Sequence, residues 1–498
     1  MTNKKVVCAS LLMLGLLAGC GKDYLDEQPR DRITSEIFYK TETDAIQATN
    51  AAYAELVRYG MFNYSLWGIG DVMSDNSTLG GGGGSDGIEF QQLDNYNIPS
   101  SNPLITAHWR SCYLGIGRAN LVLANVPAIT MNEDLKKRSL GEAQFLRALY
   151  YFYLVRGYGD VPLITTPPAS AEAVNTLTRT PAPQVYEQIV TDLKAAADNL
   201  PTGPYSGDDI GRASKWSAKG LLAKVYLTQG NLPLAASQAL EVIQQSGKTL
   251  NPAYADNFNV AKENGPESLF EVQFRTSPQE YYDQNGPGFI GNGFFGARGL
   301  NTVRTGGYGF NIPEKEFVDG YETNDLRRDV TIWKPGDVYP GTPRIVQPAS
   351  LPGSPFGYNV KKWFTGRDLT PLQYDSPLNI PVLRLADVYL IYAEAAGPAL
   401  GLPYLNRVRR RAFGLPIEVP SARDLTITDV TAYKAAVLRE RRYEFAFEDD
   451  RWYDLKRTNT LIPVMRAQGK NIQDFNVVLP IPQSERDVNP NLVQNPGY

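Results

Sequence analysis

Apolar residues recur at helical spacing along two blocks of this chain, about 43–250 and 383–460, and lose that rhythm between them. "TETDAIQATNAAYAELVRYG" predicts a first helix, with Thr43 as N-cap and Gly60 as its end. "NPLITAHWRSCYLGIGRANLVLANVP" predicts a second, stopped by Pro127. The third covers "GEAQFLRALYYFYLVRGYGD", where Phe145, Leu149 and Phe152 line one side and Leu146, Tyr150 and Tyr153 the next. So wide an apolar surface predicts burial between neighbouring helices, with Gly157 and Gly159 ending the element. Its apolar run, 148–155 between Arg147 and Arg156, is too short to cross a bilayer. "PAPQVYEQIVTDLKAAADNLP" predicts a fourth helix, with proline at its start and after its end.

In "SKWSAKGLLAKVYLTQGNLPLAASQALEVIQQSG", Leu222, Ala223, Tyr226, Gly230, Ala235 and Ala239 fall at the spacings of a tetratricopeptide repeat. Small residues let two antiparallel helices approach closely there; the usual Trp of the repeat is replaced by Lys219. The second block adds "RLADVYLIYAEAAG", "LPYLNRVRRRAFG" and "VTAYKAAVLRERRYEFAFEDDRWYDLKR". The last mixes Arg439, Arg441, Arg442 and Arg451 with Glu440, Glu444, Glu448, Asp449, Asp450 and Asp454, which predicts an ion-paired helix face with Phe445, Phe447 and Trp452 turned to the core. Between the blocks, "ESLFEVQF" alternates enough for one strand, and the remainder of 251–382 is glycine-, proline- and aromatic-rich loop. A smaller loop of the same kind, "SDNSTLGGGGGSDG", follows the first helix. The fold class is therefore mainly α: a tetratricopeptide-like scaffold of helix pairs with a large irregular loop-rich portion and a few short strands.

The first residues read differently. "MTNKKVVCASLLMLGLLAGCGKD" has a basic start, an apolar run over 6–18 and the ending Leu17-Ala18-Gly19-Cys20. These are the parts of a secretory signal, and the ending resembles a bacterial lipobox, in which Cys20 is lipidated and becomes the first mature residue. The expected division is a signal peptide over 1–19, a lipidated tether over 20–42 and a single domain over 43–498. Cys8 leaves with the leader and Cys20 takes lipid, so Cys112 stands alone, no disulfide forms, and the core must supply stability.

Net charge is −4; removing Lys4 and Lys5 from the 49 basic residues leaves 47 against 53 acidic ones, or −6. That balance argues against general nucleic-acid affinity. The single histidine, His108, would have to carry any triad or His-rich zinc site alone. Residues 83–87 fit G-x-S-x-G and 291–296 fit G-x-G-x-x-G, but both sit in loop without the strand and helix those motifs require. No catalytic residue and no metal site is expected; no cofactor is indicated, and nothing supports a structural calcium.

The loops carry the chemistry of carbohydrate binding. Sugar rings lay C–H faces on aromatic rings, while their hydroxyls need fixed planar partners. The first loop region offers Trp67, Asp71, Asp75 and Asn76. The middle stretch offers Tyr281, Tyr282, Phe289, Phe294, Phe295, Tyr308, Trp333, Tyr358, Trp363 and Arg367. Some of these are expected to contact ligand, with Trp333 and Trp363 as stacking residues.

Taken in order, "LDEQPRDRITSEIFYKTETDAIQATNAAY", "GEAQFLRALYYFYLVRGYGDVPLI", "SKWSAKGLLAKVYL", "VLRLADVYLIYAEA", "YLNRVRRRA", "RRYEFAFEDDRWYDLKR" and "VLPIPQSERDVNPNLVQNPGY" resemble the SusD/RagB family of outer-membrane nutrient-binding lipoproteins of Bacteroidetes. The link between "AEAAG" and "YLNRVRRRA" is shorter than in that pattern. The resemblance implies a helical body with a loop-rich side, display at the cell surface of the outer membrane through lipidated Cys20, and no enzymatic activity. It also implies a partner, a SusC-like TonB-dependent β-barrel transporter over which the lipoprotein sits as a lid, delivering oligosaccharide. A peptide-binding member of the same fold is the alternative, followed by a surface glycoside hydrolase.

Overall fold

The computed structural model describes residues 38–277, 286–302, 306–341, 343–366 and 374–498. The leader, Cys20, Tyr281, Tyr282 and Arg367 lie outside the described residues. The chain is mainly α. Its longer helices are α1 (Glu42–Ala54), α2 (Pro103–Asn125), α3 (Glu133–Tyr158), α4 (Ala182–Asn199), α5 (Lys215–Thr228), α6 (Leu232–Gln245), α7 (Leu385–Ala412), α8 (Val430–Glu444) and α9 (Arg451–Arg457). Each helix from α1 to α7 packs against its successor, and the α6–α7 contact joins the two helical blocks across the loop-rich stretch. Among the described residues no helix is long and apolar enough to cross a membrane.

Local chemistry sets the helix ends. The cap of α1 is Thr41, not Thr43, because Asp44 reaches back to it. Thr41 N–H donates to the Asp44 carboxylate at 2.7 Å, and Asp44 N–H donates to Thr41 Oγ1 at 3.3 Å. The helix stops at Ala54, before Gly60. That glycine serves packing instead, since a Cβ there would lie 2.1 Å from the Ala107 carbonyl oxygen of α2.

Helix α3 is buried almost throughout its second half, as its two apolar sides predict. Three of its four tyrosine hydroxyls donate to backbone carbonyls: Tyr150 to Ala52 at 2.7 Å, Tyr151 to Ile164 at 3.0 Å and Tyr158 to Ile105 at 2.7 Å. The Tyr150 ring occupies the space left by Gly115 on α2, where a Cβ would come within 2.3 Å of it. Gly157 remains helical, and Gly159 ends α3 at φ +75°.

Helices α5 and α6 form the expected antiparallel pair, and Lys219 reaches Glu241 at 2.7 Å across it. The two helices predicted between 384 and 414 are joined without a loop: α7 is continuous apart from a kink at Gly397. The charged C-terminal segment breaks over 445–450, where Phe447 and Asp449 adopt left-handed φ values of +61° and +60°. Phe445, Phe447 and Trp452 are buried, and the charges around them are buried too.

Glu444 accepts from Arg411 at 2.5 Å, Arg384 at 2.9 Å and Arg327 at 3.3 Å; Glu267 bridges Arg384 and Arg411, and Glu440 bridges Arg327 and Arg409. Burial alone would raise the Glu444 carboxyl, but Arg411, Arg384 and Arg327 overcome it and hold it at about 2.

The strands form two-stranded antiparallel pairs. β1 (Ser77–Gly80) pairs with β3 (Phe310–Pro313), and β2 (Ser268–Val272) with β8 (Ile380–Arg384). β4 (Ile332–Trp333) pairs with β7 (Asn359–Val360), and β5 (Val338–Tyr339) with β6 (Ile345–Val346). The first of these pairings ties the early glycine loop to the middle of the chain.

Candidate functional site

Most of the aromatics singled out in the sequence lie in the core, which corrects their expected role as stacking surfaces. Trp67 is 2% exposed, stacked on Phe90 at 4.0 Å and met edge-on by Phe295 at 5.3 Å. Phe289 and Phe294 are buried, the former beside Trp363 at 6.1 Å. Trp363 donates its indole N–H to the Phe447 carbonyl at 2.9 Å. Trp333 packs on Tyr339 at 4.1 Å, under Lys361. Rings enclosed in this way have no face left for a sugar. They pack the loops onto the helices, because a long loop without regular hydrogen bonding needs a hydrophobic core of its own.

The polar trio is equally enclosed. Asp75 accepts two bonds from Arg451, at 2.7 and 2.8 Å, and Asn76 accepts from Arg442 at 2.8 Å. Asp71 accepts from Asn311 Nδ2 at 3.2 Å. These residues fasten the first loop to the C-terminal helices. Tyr358 differs: it is half-buried, 6.3 Å from Phe356, which is 45% exposed.

The structure brings together the two glycine-rich regions that the sequence separates. Beyond the β1–β3 ladder, Gly81 N–H donates to the Gly309 carbonyl at 2.7 Å. Gly353 backs onto the same turn so closely that a Cβ would lie 2.2 Å from the Gly81 carbonyl oxygen; only a glycine fits there, at φ +74°.

Asp86 anchors the turn by accepting Gly82 N–H at 2.7 Å, and pairs with Arg298 at 2.8 Å. Arg298 also donates to the Tyr308 carbonyl at 2.9 Å. Below this junction the rings form a column from core to surface. Trp67 stacks on Phe90, Phe294 lies beyond, and Tyr308 stacks on Phe294 at 5.1 Å with its hydroxyl against that of Tyr374.

Tyr308, the half-buried end of this column, has Asp86 and Arg298 beside it, so a partly open ring stands with fixed polar groups. The Phe356–Tyr358 pair is a second partly open aromatic surface. Asp86, Arg298 and Phe356 were missed in the sequence. The signal for Phe356 is its position in Gly-Ser-Pro-Phe-Gly, a turn that leaves its aromatic little to pack against.

The arrangement offers no histidine for acid–base chemistry. His108 is wholly buried; burial holds its ring neutral, down at about 4, and Nδ1 lies 2.9 Å from the Gly60 carbonyl oxygen. The exposed Ser85 therefore has no imidazole to activate it. Cys112 is buried and its thiol is pushed well up by burial.

Residues 23–227 match a family described as "Starch-binding associating with outer membrane", and residues 249–498 match the SusD family. The chain is 30% identical to SusD-like protein P25 of Formosa agariphila, with 96% of each chain covered. It is also 30% identical to a SusD-like protein of Bacteroides ovatus, over 91% of this chain and 82% of that one. Among solved structures, a laminarin-binding SusD-like protein superimposes with TM-score 0.81 at 32% identity, covering 92% of this chain and 100% of that one. The surface glycan-binding protein A from Bacteroides fluxus does so with TM-score 0.78 at 25% identity, again over 92% and 100%.

Proposed function

The chain belongs to the SusD family, and from that premise we propose that it is a cell-surface glycan-binding lipoprotein. It captures oligosaccharide on the junction of its glycine-rich loops and passes it, chemically unaltered, to a TonB-dependent outer-membrane transporter. The observation that carries this reading is the ring column ending in partly open Tyr308, with Asp86 and Arg298 fixed beside it. Flat C–H faces find a ring there, and hydroxyls find preorganised partners. Attachment to the membrane rests on Leu17-Ala18-Gly19-Cys20. Laminarin is the first polysaccharide to try, because a solved relative at 32% identity is a laminarin-binding protein.

The test is native electrophoresis of protein lacking residues 1–20 through gels containing laminarin or other polysaccharides. Retardation without release of shorter sugars supports the proposal. Sugar release overturns it in favour of a glycoside hydrolase. Retardation by no polysaccharide, together with co-purification of a β-barrel, overturns the glycan reading in favour of peptide capture.

A further inference from the structure

A cavity of about 530 Å³ lies between the α4–α5 connection and the segment leading into β2, and none of its wall comes from the loop junction. Its charged groups break the pattern set elsewhere in the molecule. Arg212 is fully used by Asp209, Glu142 and Asn50. Lys248 and Glu263 form no ion pair among the described residues. Lys248 Nζ donates to the Gly265 carbonyl at 3.2 Å, and Glu263 accepts the Asn379 backbone N–H at 2.8 Å. Glu271 stands near both but is already bonded by Asn264 N–H at 3.0 Å and Asn379 Nδ2 at 3.1 Å. Burial lowers the Lys248 ammonium from its ordinary value and, with Glu271 adding to it, pushes Glu263 up to about 7.

The interior of this protein pairs its charges two and three deep, as around Glu444. Lys248 and Glu263 are half-buried and left apart in one cavity, and a ligand bearing the opposite charges would pair with both. The rest of the wall suits a small ligand. Tyr205 is held by its hydroxyl, which donates to the Ala213 carbonyl at 2.8 Å, and Ile210, Leu269 and Phe270 add apolar surface. The volume lies within the range of small-molecule sites, roughly 300–1,000 Å³.

We propose that this cavity is a second binding site, for a small zwitterion whose ammonium meets Glu263 and whose carboxylate meets Lys248. Short peptides carry that pair of groups, as do oligosaccharides containing both an amino sugar and a uronic acid. The site is independent of the glycan face, so either assignment stands without the other.

Isothermal titration of the mature chain with trialanine, at pH 7 in two buffers of different ionisation enthalpy, tests it. Binding is expected to release protons, because an incoming ammonium drives Glu263 to its carboxylate. Capping either terminus of the peptide should weaken binding about tenfold. Glu263→Gln should abolish the buffer dependence, and Lys248→Gln should erase the preference for a free C-terminus; unchanged melting temperatures show both variants folded. A glucosamine–glucuronate disaccharide forms the second arm: heat from it alone assigns the site to a zwitterionic glycan, and heat from trialanine alone to a peptide. No heat from either, equal affinity for capped peptide, or unaltered buffer dependence in Glu263→Gln overturns the proposal. Laminarin retardation, read in the same variants, reports separately on the glycan face.

Discussion

Asp449 donates its backbone N–H to Asp71 Oδ1 at 3.3 Å, bringing together two buried carboxyl groups that lie 378 residues apart in the chain. Burial raises Asp71 to about 7, against the opposing bonds from Asn311 and Asp449 N–H and the charge of Lys362. Burial, then Asp71, Glu448 and Asp450, raise Asp449 well above the usual carboxylate range. Burial thus pushes both carboxyls upward, and the proximity of Asp71 adds to it at Asp449.

A carboxyl raised in the folded state contributes stability that is complete below its unfolded value, 3.8 here, and is lost as pH rises through the folded value. Asp449→Asn keeps a residue tolerant of left-handed backbone and removes one of the two raised carboxyls. The melting temperature of the wild type minus that of the variant is expected to fall by about 1–2 °C between pH 5.5 and 8. A difference that stays constant or grows would show that Asp449 is not raised in the fold.

Gly115 and Gly117 occupy the same helix with opposite surroundings. A Cβ at Gly115 meets the Tyr150 ring, whereas one at Gly117 meets nothing within 4 Å. Gly115→Ala should cost about 1–3 kcal/mol through overpacking. Gly117→Ala should gain up to about 1 kcal/mol through helix propensity. Denaturant unfolding of both variants decides whether the Tyr150 contact is as tight as it looks.

Trp333→Ala and Trp363→Ala should each destabilise by about 3–5 kcal/mol, because both rings are enclosed. Phe356→Ala, at an exposed ring, should leave stability within about 0.5 kcal/mol and weaken retention in laminarin gels. Reduced retention in the tryptophan variants with unchanged melting would reverse this division between packing and binding.

Glu444→Gln removes the charge that Arg411, Arg384 and Arg327 converge on, leaving buried guanidinium groups short of a partner. It is expected to cost about 3–5 kcal/mol. In the wild type this carboxylate, depressed in the fold, contributes stability above its unfolded value of 4.5, and that contribution is lost as pH falls toward about 2. Acid titration of wild type and variant should therefore converge at low pH.

Much of the scaffold was legible because helical periodicity is local. The burial of Tyr150 and Tyr153 and the α5–α6 pair follow from spacing and residue type within a few turns, whereas the charges of the C-terminal segment, expected on a helix face, find partners as remote as Arg327, Asp387 and Asp75. The loops were less legible because their partners are remote. Nothing near Asp75 in the sequence announces Arg451, and nothing near Trp67 announces Phe90 or Phe295 as its packing partners. An aromatic in a glycine-rich loop looks available when read alone, and becomes core once a second loop closes over it. The α1 cap failed for a smaller reason: Thr41 and Thr43 compete, and only the reach of Asp44 decides between them.

The pairing of β1 with β3 has a consequence for how the protein matures. Ser77 and Asn311, bonded side chain to side chain, are 234 residues apart, and the seam between Asp71 and Asp449 closes from still farther away. Contacts of such sequence separation are slow to form and depend on the helices between them having already packed. The surface that we assign to glycan capture thus has no folding unit of its own. Competence to retain a polysaccharide should arrive last in refolding, after helical content has recovered, and be the first property lost when the C-terminal helices are removed.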